Sequence, residues 1–175
     1  VEGESYTELA VCTQDRSQLL AKVCGVLAVN DIDILRADVH TREDEVVLDL
    51  FQVRDVGGAP ILPPHKKSRL LEQLDAVVSG QQKARELFDS YSAHWGRRRA
   101  QTIVRPPVIK IENQVSDRFT VIDVEVQDSA GLLYTLTYAL AEMDLDIHMA
   151  IVHTVAERAV DAFYVVNGQG EKILN

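Results

Sequence analysis

Four aspartates stand where they could hold a small zwitterion. Asp15 and Asp128 each lie four residues ahead of a Leu-Leu pair, Leu19-Leu20 and Leu132-Leu133, that opens a helical stripe. A helix amino terminus offers backbone amides and the positive end of the helix dipole, which suit an α-carboxylate. Asp33 and Asp146 each precede an isoleucine at the start of a strand pattern, where a carboxylate could take an α-ammonium group. A plainer reading accompanies each pair. Asp15 with Gln18 three residues on forms a capping box, and Asp128 is an N-cap without the box, each contributing about 1 kcal/mol. Asp33 and Asp146 are then polar residues at a strand entrance.

His40, His153, Asp49 and Asp161 recur in the same way. One histidine and one carboxylate per copy fall short of a ligand set, so no metal site is expected. Catalysis is not expected of this chain either. No His-Asp dipeptide occurs, as a metal-dependent phosphohydrolase would carry, and no Gly-Ser precedes Asp31-Ile-Asp33, as nucleotidyl transfer would require. Serine, cysteine and lysine candidates lack an adjacent base suggested by spacing.

These residues come in pairs because the chain repeats itself. Asp31-Ile-Asp-Ile-Leu-Arg-Ala-Asp-Val-His-Thr41 returns as Asp144-Leu-Asp-Ile-His-Met-Ala-Ile-Val-His-Thr154 at an offset of 113, with seven of eleven positions identical. The same offset carries Leu27-Ala28 onto Leu140-Ala141. After one residue is lost in a turn, Asp49 and Phe51 fall on Asp161 and Phe163. A repeat of this kind fixes the architecture before propensity is consulted.

The 175 residues, 46% hydrophobic and 26% charged, suffice for two small globular units. A net charge of −9 argues against broad nucleic-acid binding, with only Arg97-Arg98-Arg99 leaning the other way, and that run reads as a solvated linker. No apolar run is long enough for a membrane span, and the acidic start Val1-Glu-Gly-Glu4 lacks the basic region of a signal peptide, so the cytoplasm is the expected compartment. Cys12 and Cys24 show no metal or redox spacing and read as reduced, structural thiols.

In the first copy, Thr7 to Thr13 reads as a strand, and Leu19, Leu20, Val23, Val26 and Leu27 as a helix stripe. Leu35, Ala37 and Val39 alternate with Arg36, Asp38 and His40 in a half-buried strand, and Val46 to Val53 makes a hairpin with it. Leu70, Leu71, Leu74, Val77 and Val78 then mark a second helix, residues 82–99 an additional helical linker, and Val108 to Glu112 a short strand. Strand, helix, strand, strand, helix, strand is the split βαβ order of a ferredoxin-like α+β module. The first module is expected over 5–115. The second, over 116–175, lacks its last helix and strand. Its outward strand face is apolar at Met149 and Ile151, where the first copy has Arg36 and Asp38, so a covering partner is expected there.

A duplicated βαββαβ module with an Asp-x-x-x-Leu-Leu turn and a following Asp-Ile strand start resembles the ACT domain, a regulatory module that typically binds amino acids. Leu48-Asp-Leu-Phe-Gln-Val53, Ile111-Glu-Asn-Gln-Val-Ser-Asp-Arg-Phe-Thr-Val-Ile122, Gly131-Leu-Leu-Tyr134 and Ala159-Val-Asp-Ala-Phe-Tyr-Val165 narrow the resemblance. They are similar to the C-terminal ACT pair of the GlnD family of bifunctional uridylyltransferase/uridylyl-removing enzymes. The resemblance implies a glutamine sensor that switches catalytic domains of the same parent enzyme, which would use magnesium and UTP, between modifying and restoring the PII signal protein. No cofactor is expected in this chain and no nucleic-acid or membrane partner, and the apolar face at Met149 and Ile151 with the incomplete second half points to a homo-oligomer. The alternative is a free-standing ACT-repeat protein that binds another amino acid or none.

The ligand site implied by the resemblance comprises Asp15, Arg16, Ser17, Gln18, Asp33 and Ile34 in the first copy. In the second it comprises Asp128, Ser129, Ala130, Gly131, Leu132, Asp146 and Ile147. The family's Asp-Arg-Pro-Gly turn is Asp15-Arg-Ser-Gln18 here and Asp128-Ser-Ala-Gly131 in the second copy, and only the second keeps the glycine. The second copy is therefore expected to carry most of the binding.

Overall fold

The computed structural model describes residues 6–14, 16, 18–42, 44, 46–59, 63–95, 106–129, 131–155 and 158–173, with the side chains of 92–95 and 155 excepted. The repeat is visible as two βαββ units. The first is β1 (Thr7–Gln14), α1 (Leu19–Val29), β2 (Ile32–Asp38) and β3 (Val46–Asp55), followed by α2 (Pro64–Val78) and α3 (Ala84–Trp95). After β4 (Val108–Glu112) come β5 (Thr120–Gln127), α4 (Leu132–Glu142), β6 (Leu145–Val155) and β7 (Arg158–Asn167). The result is an α+β fold whose seven strands form one sheet in the order β1-β3-β2-β6-β7-β5-β4.

Each unit turns from helix to second strand through an aspartate in left-handed backbone, Asp31 at φ 54° and Asp144 at φ 59°. Aspartate tolerates that conformation better than most residues with a Cβ, which gives the matched pair a local reason.

The halves join where β2 meets β6, antiparallel, through Arg36↔His153, Ala37↔Val152 and Asp38↔Ile151. At this seam the apolar Ile151 sits beside Asp38, and both are half-buried.

Helix α1 is apolar nearly all round, and all but Lys22 of its residues are buried. A helix with that pattern must be covered on every side. It packs against α2, α3, α4 and β2. Gly25 lets α4 approach, since a Cβ there would meet the Tyr134 ring at 3.0 Å. From α2, Leu70, Leu74 and Val77 enter the core, whereas Leu71, read as part of the same stripe, is 50% exposed.

Two assignments change. Strand β4, placed by sequence in the 5–115 module, pairs with β5 of the second half in a hairpin, from Val108↔Glu125 to Glu112↔Val121. The second half so gains an outer strand from the segment that precedes it. Helix α3, read as part of a linker over 82–99, is a packed helix touching both halves, because its apolar residues Leu87 and Phe88 join the core.

Candidate functional site

The joint between β2 and β6 crosses the candidate residues. Each copy's strand-to-helix turn lies beside the other copy's Asp-Ile strand start, so the predicted residues gather into two places rather than one per copy. Asp33, Ile34, Asp128, Ser129, Gly131 and Leu132 line one pocket, and Arg16, Gln18, Asp146 and Ile147 line another. Asp15, Ser17 and Ala130 lie outside the described residues.

The turns are alike. Gln18 and Gly131, at equivalent positions, precede the helices with φ 62° and 77°, and neither helix has a side-chain cap bond. The Leu19 amide donates to the Arg16 carbonyl and the Leu132 amide to that of Ser129, both at 3.0 Å. The capping expectation is corrected here. The helices begin after Gln18 and Gly131, so Asp128 stands too far ahead of α4 to act as its cap.

The pocket beneath the second turn has a volume of about 480 Å³, within the range of ~300–1,000 Å³ usual for small-ligand sites. Arg54 donates from Nε and Nη2 to Asp33 Oδ2 at 3.0 and 2.9 Å. Burial raises the Asp128 carboxyl above its ordinary value, and the nearby Asp33 adds to the rise, while bonds from the Ser129 amide and the Thr154 hydroxyl and the charge of Arg54 oppose it. Two carboxylates therefore share one guanidinium, which leaves the pocket suited to a further cation. Leu132, Leu133 and Tyr134 of the first turn of α4 line the same pocket, and first-turn amides beyond the one bonded to Ser129 have no acceptor within the helix.

The place beneath the first turn is tighter. A cavity of about 40 Å³ lies between Gln18, Asp49, Thr137 and Ile147, space for little more than one water. It adjoins an open groove of about 770 Å³ that includes Arg16, His40, Arg42, Arg118, Asp146 and His148. Arg16 is turned to α2, donating to the Val78 carbonyl at 3.0 Å, and Asp146 lies 3.3 Å from His148 Nε2.

Helix α3 covers the second turn. A Cβ on Gly131 would fall 2.6 Å from the Phe88 ring, and Phe88 stacks at 4.2 Å on Tyr134 of α4. Tyr91 donates to Asp31 at 2.7 Å, and Arg85 donates to the Tyr138 hydroxyl at 2.7 Å. The close approach that Gly131 permits is thus made by an aromatic ring of the same chain. Phe88 and Tyr91 share a face of α3, and the sequence carries no sign of what that face meets. Arg54, the ion partner of Asp33, had no sequence signal either.

Asp49 and Asp161, the recurring carboxylates, are 1% and 2% exposed on the helix-facing side of the sheet. Burial pushes Asp161 up to about 7, helped by Asp128 and opposed by the His153 amide. Burial, with the charges of Asp49 and Asp161, also pushes the Cys24 thiol up. Among the described residues no group of three or more potential ligands is placed to hold a metal ion.

Comparison with known proteins finds chains of one description to which this sequence is similar. A bifunctional uridylyltransferase/uridylyl-removing enzyme of Gluconobacter oxydans is 39% identical over 173 residues, which is 99% of this chain. Enzymes of the same description from Azospirillum brasilense and Rhodospirillum rubrum are 35% and 32% identical over 98% of it. The chain is homologous to a C-terminal region of these enzymes. It spans 18% of their length. No family model matches the chain. Among solved structures, aspartate kinase from Synechocystis aligns over 93% of this chain and 24% of its own at 16% identity, with a TM-score of 0.43. No helix among the described residues of this uridylyltransferase homologue is long and apolar enough to cross a membrane.

Proposed function

We propose that this region is the amino-acid sensor of a bifunctional uridylyltransferase/uridylyl-removing enzyme, and that its ligand is glutamine. The crossed pocket carries the reading. It sets the α4 amino terminus against Asp33 and Asp128, an anion-binding feature beside a cation-binding one, in a space of ligand size. An α-amino acid presents those two charges a short distance apart. The βαββ order of each half, with the turn ahead of its first helix, resembles the opening of an ACT module, which supports the same reading.

In such an enzyme the catalytic domains, with magnesium and UTP, act on the PII protein in the cytoplasm, and this region reports glutamine to them. Because the pocket is built from both halves and roofed at Gly131 by α3, a ligand there bears on their joint and on α3 together. That gives occupancy a route out of the pocket. Calorimetric titration with each of the twenty amino acids tests the assignment. Glutamine is expected to bind more tightly than glutamate or asparagine; tighter binding of another amino acid, or of none, would replace it with the free-standing ACT-repeat reading.

A further inference from the structure

The pocket between Asp33 and Asp128 takes its walls from different halves, and a single helix grips both. The split βαβ order has places for α1, α2 and α4 but none for α3, which is an addition between α2 and β4. Helix α3 packs on α1 where the halves meet, since a Cβ on Gly25 of α1 would touch Ala84 of α3 at 3.5 Å and the Tyr134 ring of α4 at 3.0 Å.

Two side chains of α3, three residues apart and so on one face, reach the two walls. Phe88 fills the space that a Cβ on Gly131 would need and stacks on Tyr134 at 4.2 Å. Gly131 and Tyr134 line the pocket from the second half. Tyr91 donates to Asp31 Oδ1 at 2.7 Å. Asp31, in left-handed backbone, leads straight into Ile32, Asp33 and Ile34, and its carbonyl accepts from the Val56 amide at 3.0 Å. Those four residues line the pocket from the first half, while none of the described residues of α3 does. The helix is a brace outside the pocket that joins its walls.

The brace is lightly held. Across residues 84–91 only Ala84 is buried, Leu87, Phe88 and Tyr91 are half-buried, and the Lys83–Glu86 and Arg85–Asp89 pairs lie in solvent. A helix with few buried contacts opens at lower cost than the core beneath it, and elements that respond to ligands are drawn from that class.

We propose that α3 is a clamp whose docking is coupled to occupancy of this pocket: Phe88 and Tyr91 set the spacing of the two walls, a bound α-amino acid fixes the same spacing, and each therefore favours the other. Phe88 and Tyr91 are positioning residues that act through Gly131 and Asp31. The proposal rests on the reading that the pocket takes an amino acid. Coupling of this kind is reciprocal, so whatever loosens α3 weakens the ligand by the factor that the ligand tightens α3.

The test follows amide exchange by mass spectrometry in the full chain, with and without millimolar glutamine, for the parent, Tyr91→Phe, Phe88→Leu and the control Ser90→Ala on the exposed side of α3. Without ligand, Tyr91→Phe removes one oxygen and keeps the ring. It is expected to speed exchange about tenfold or more in α3 and also in residues 131–136, the wall that Tyr91 does not touch. Phe88→Leu should do the same in residues 31–34, and Ser90→Ala should change neither wall. With glutamine, exchange across α3 of the parent should slow about fivefold or more, and Tyr91→Phe should raise the calorimetric dissociation constant by at least about fivefold at unchanged stoichiometry. Faster exchange confined to the wall each residue touches overturns the proposal. So does glutamine that protects the pocket residues and leaves α3 unaffected, an outcome that keeps the amino-acid reading. Glutamine that alters exchange nowhere overturns that reading and the coupling with it, while the ligand-free comparison shows separately whether α3 holds the walls together.

Discussion

Asp38 of β2 lies directly opposite Ile151 of β6, its own counterpart at the repeat offset, so the pseudo-twofold axis of the molecule passes through this pair. The placement explains why the candidate residues sort into crossed groups. A twofold through the joint of the two second strands exchanges the two turns and sets each beside the neighbour's strand start. The pocket of about 480 Å³ and the cavity of about 40 Å³ are related by that axis and differ by what fills them.

The two left-handed turn positions should respond oppositely to substitution. Gln18 holds φ 62° with a Cβ, a strain of about 1–2 kcal/mol that glycine relieves. Gln18→Gly is therefore expected to stabilise by about 1 kcal/mol, less the added freedom of the unfolded chain. Gly131→Ala adds the same strain and thrusts a Cβ within 2.6 Å of Phe88, for a loss of about 2–4 kcal/mol. Urea unfolding reads both. Adding Phe88→Ala to Gly131→Ala should cost less than the sum of the single changes; strict additivity would show that the ring and the turn do not touch.

Asp161 should make the fold weaker in base. Its folded value lies near 7 against an ordinary 3.8, so between those limits the folded chain keeps a proton that the unfolded chain releases. Stability then falls as pH rises from about 4 to about 7, by up to about 4 kcal/mol. Asp161→Asn should remove that part of the slope and be more stable than the parent at pH 8. Parallel stability profiles for the two proteins would refute the assignment.

The cysteines should divide by reactivity. Cys12 is exposed on β1, whereas Cys24 is 1% exposed on α1 and its thiol is pushed up. A thiol reagent at pH 8 is expected to modify one cysteine promptly and the second only on unfolding. Two prompt equivalents would mean that α1 is not covered as described.

Much of this architecture was legible because the repeat carried it. Alternation of Ala37 and Val39 with polar neighbours, and the stripe through Val23, Val26 and Leu27, report burial on one side, which period alone can encode. The partner of β4 was not legible. Val-Ile-Lys-Ile-Glu has strand character whichever edge receives it, and pairing is decided by the short turn to β5 rather than by composition. The roof of the pocket was hidden for the same reason: Phe88 and Tyr91 declare an apolar face, and only the fold shows that Gly131 and Asp31 meet it. Asp33 and Asp128 were recognised singly, but their closeness and the claim of Arg54 on Asp33 depend on the twofold.

The most direct test of the central claim is thermal unfolding with and without glutamine for the parent chain, Asp33→Asn and Asp146→Asn. At about 100 times the dissociation constant, binding contributes about 2.7 kcal/mol, a rise of roughly 5–10 °C at ~2–4 °C per kcal/mol for a chain of this size. Asp33→Asn should abolish most of the rise and Asp146→Asn should leave it. A rise no larger than glutamate or asparagine produces, or one lost with Asp146→Asn and kept with Asp33→Asn, would contradict glutamine binding in the pocket between β2 and the second turn.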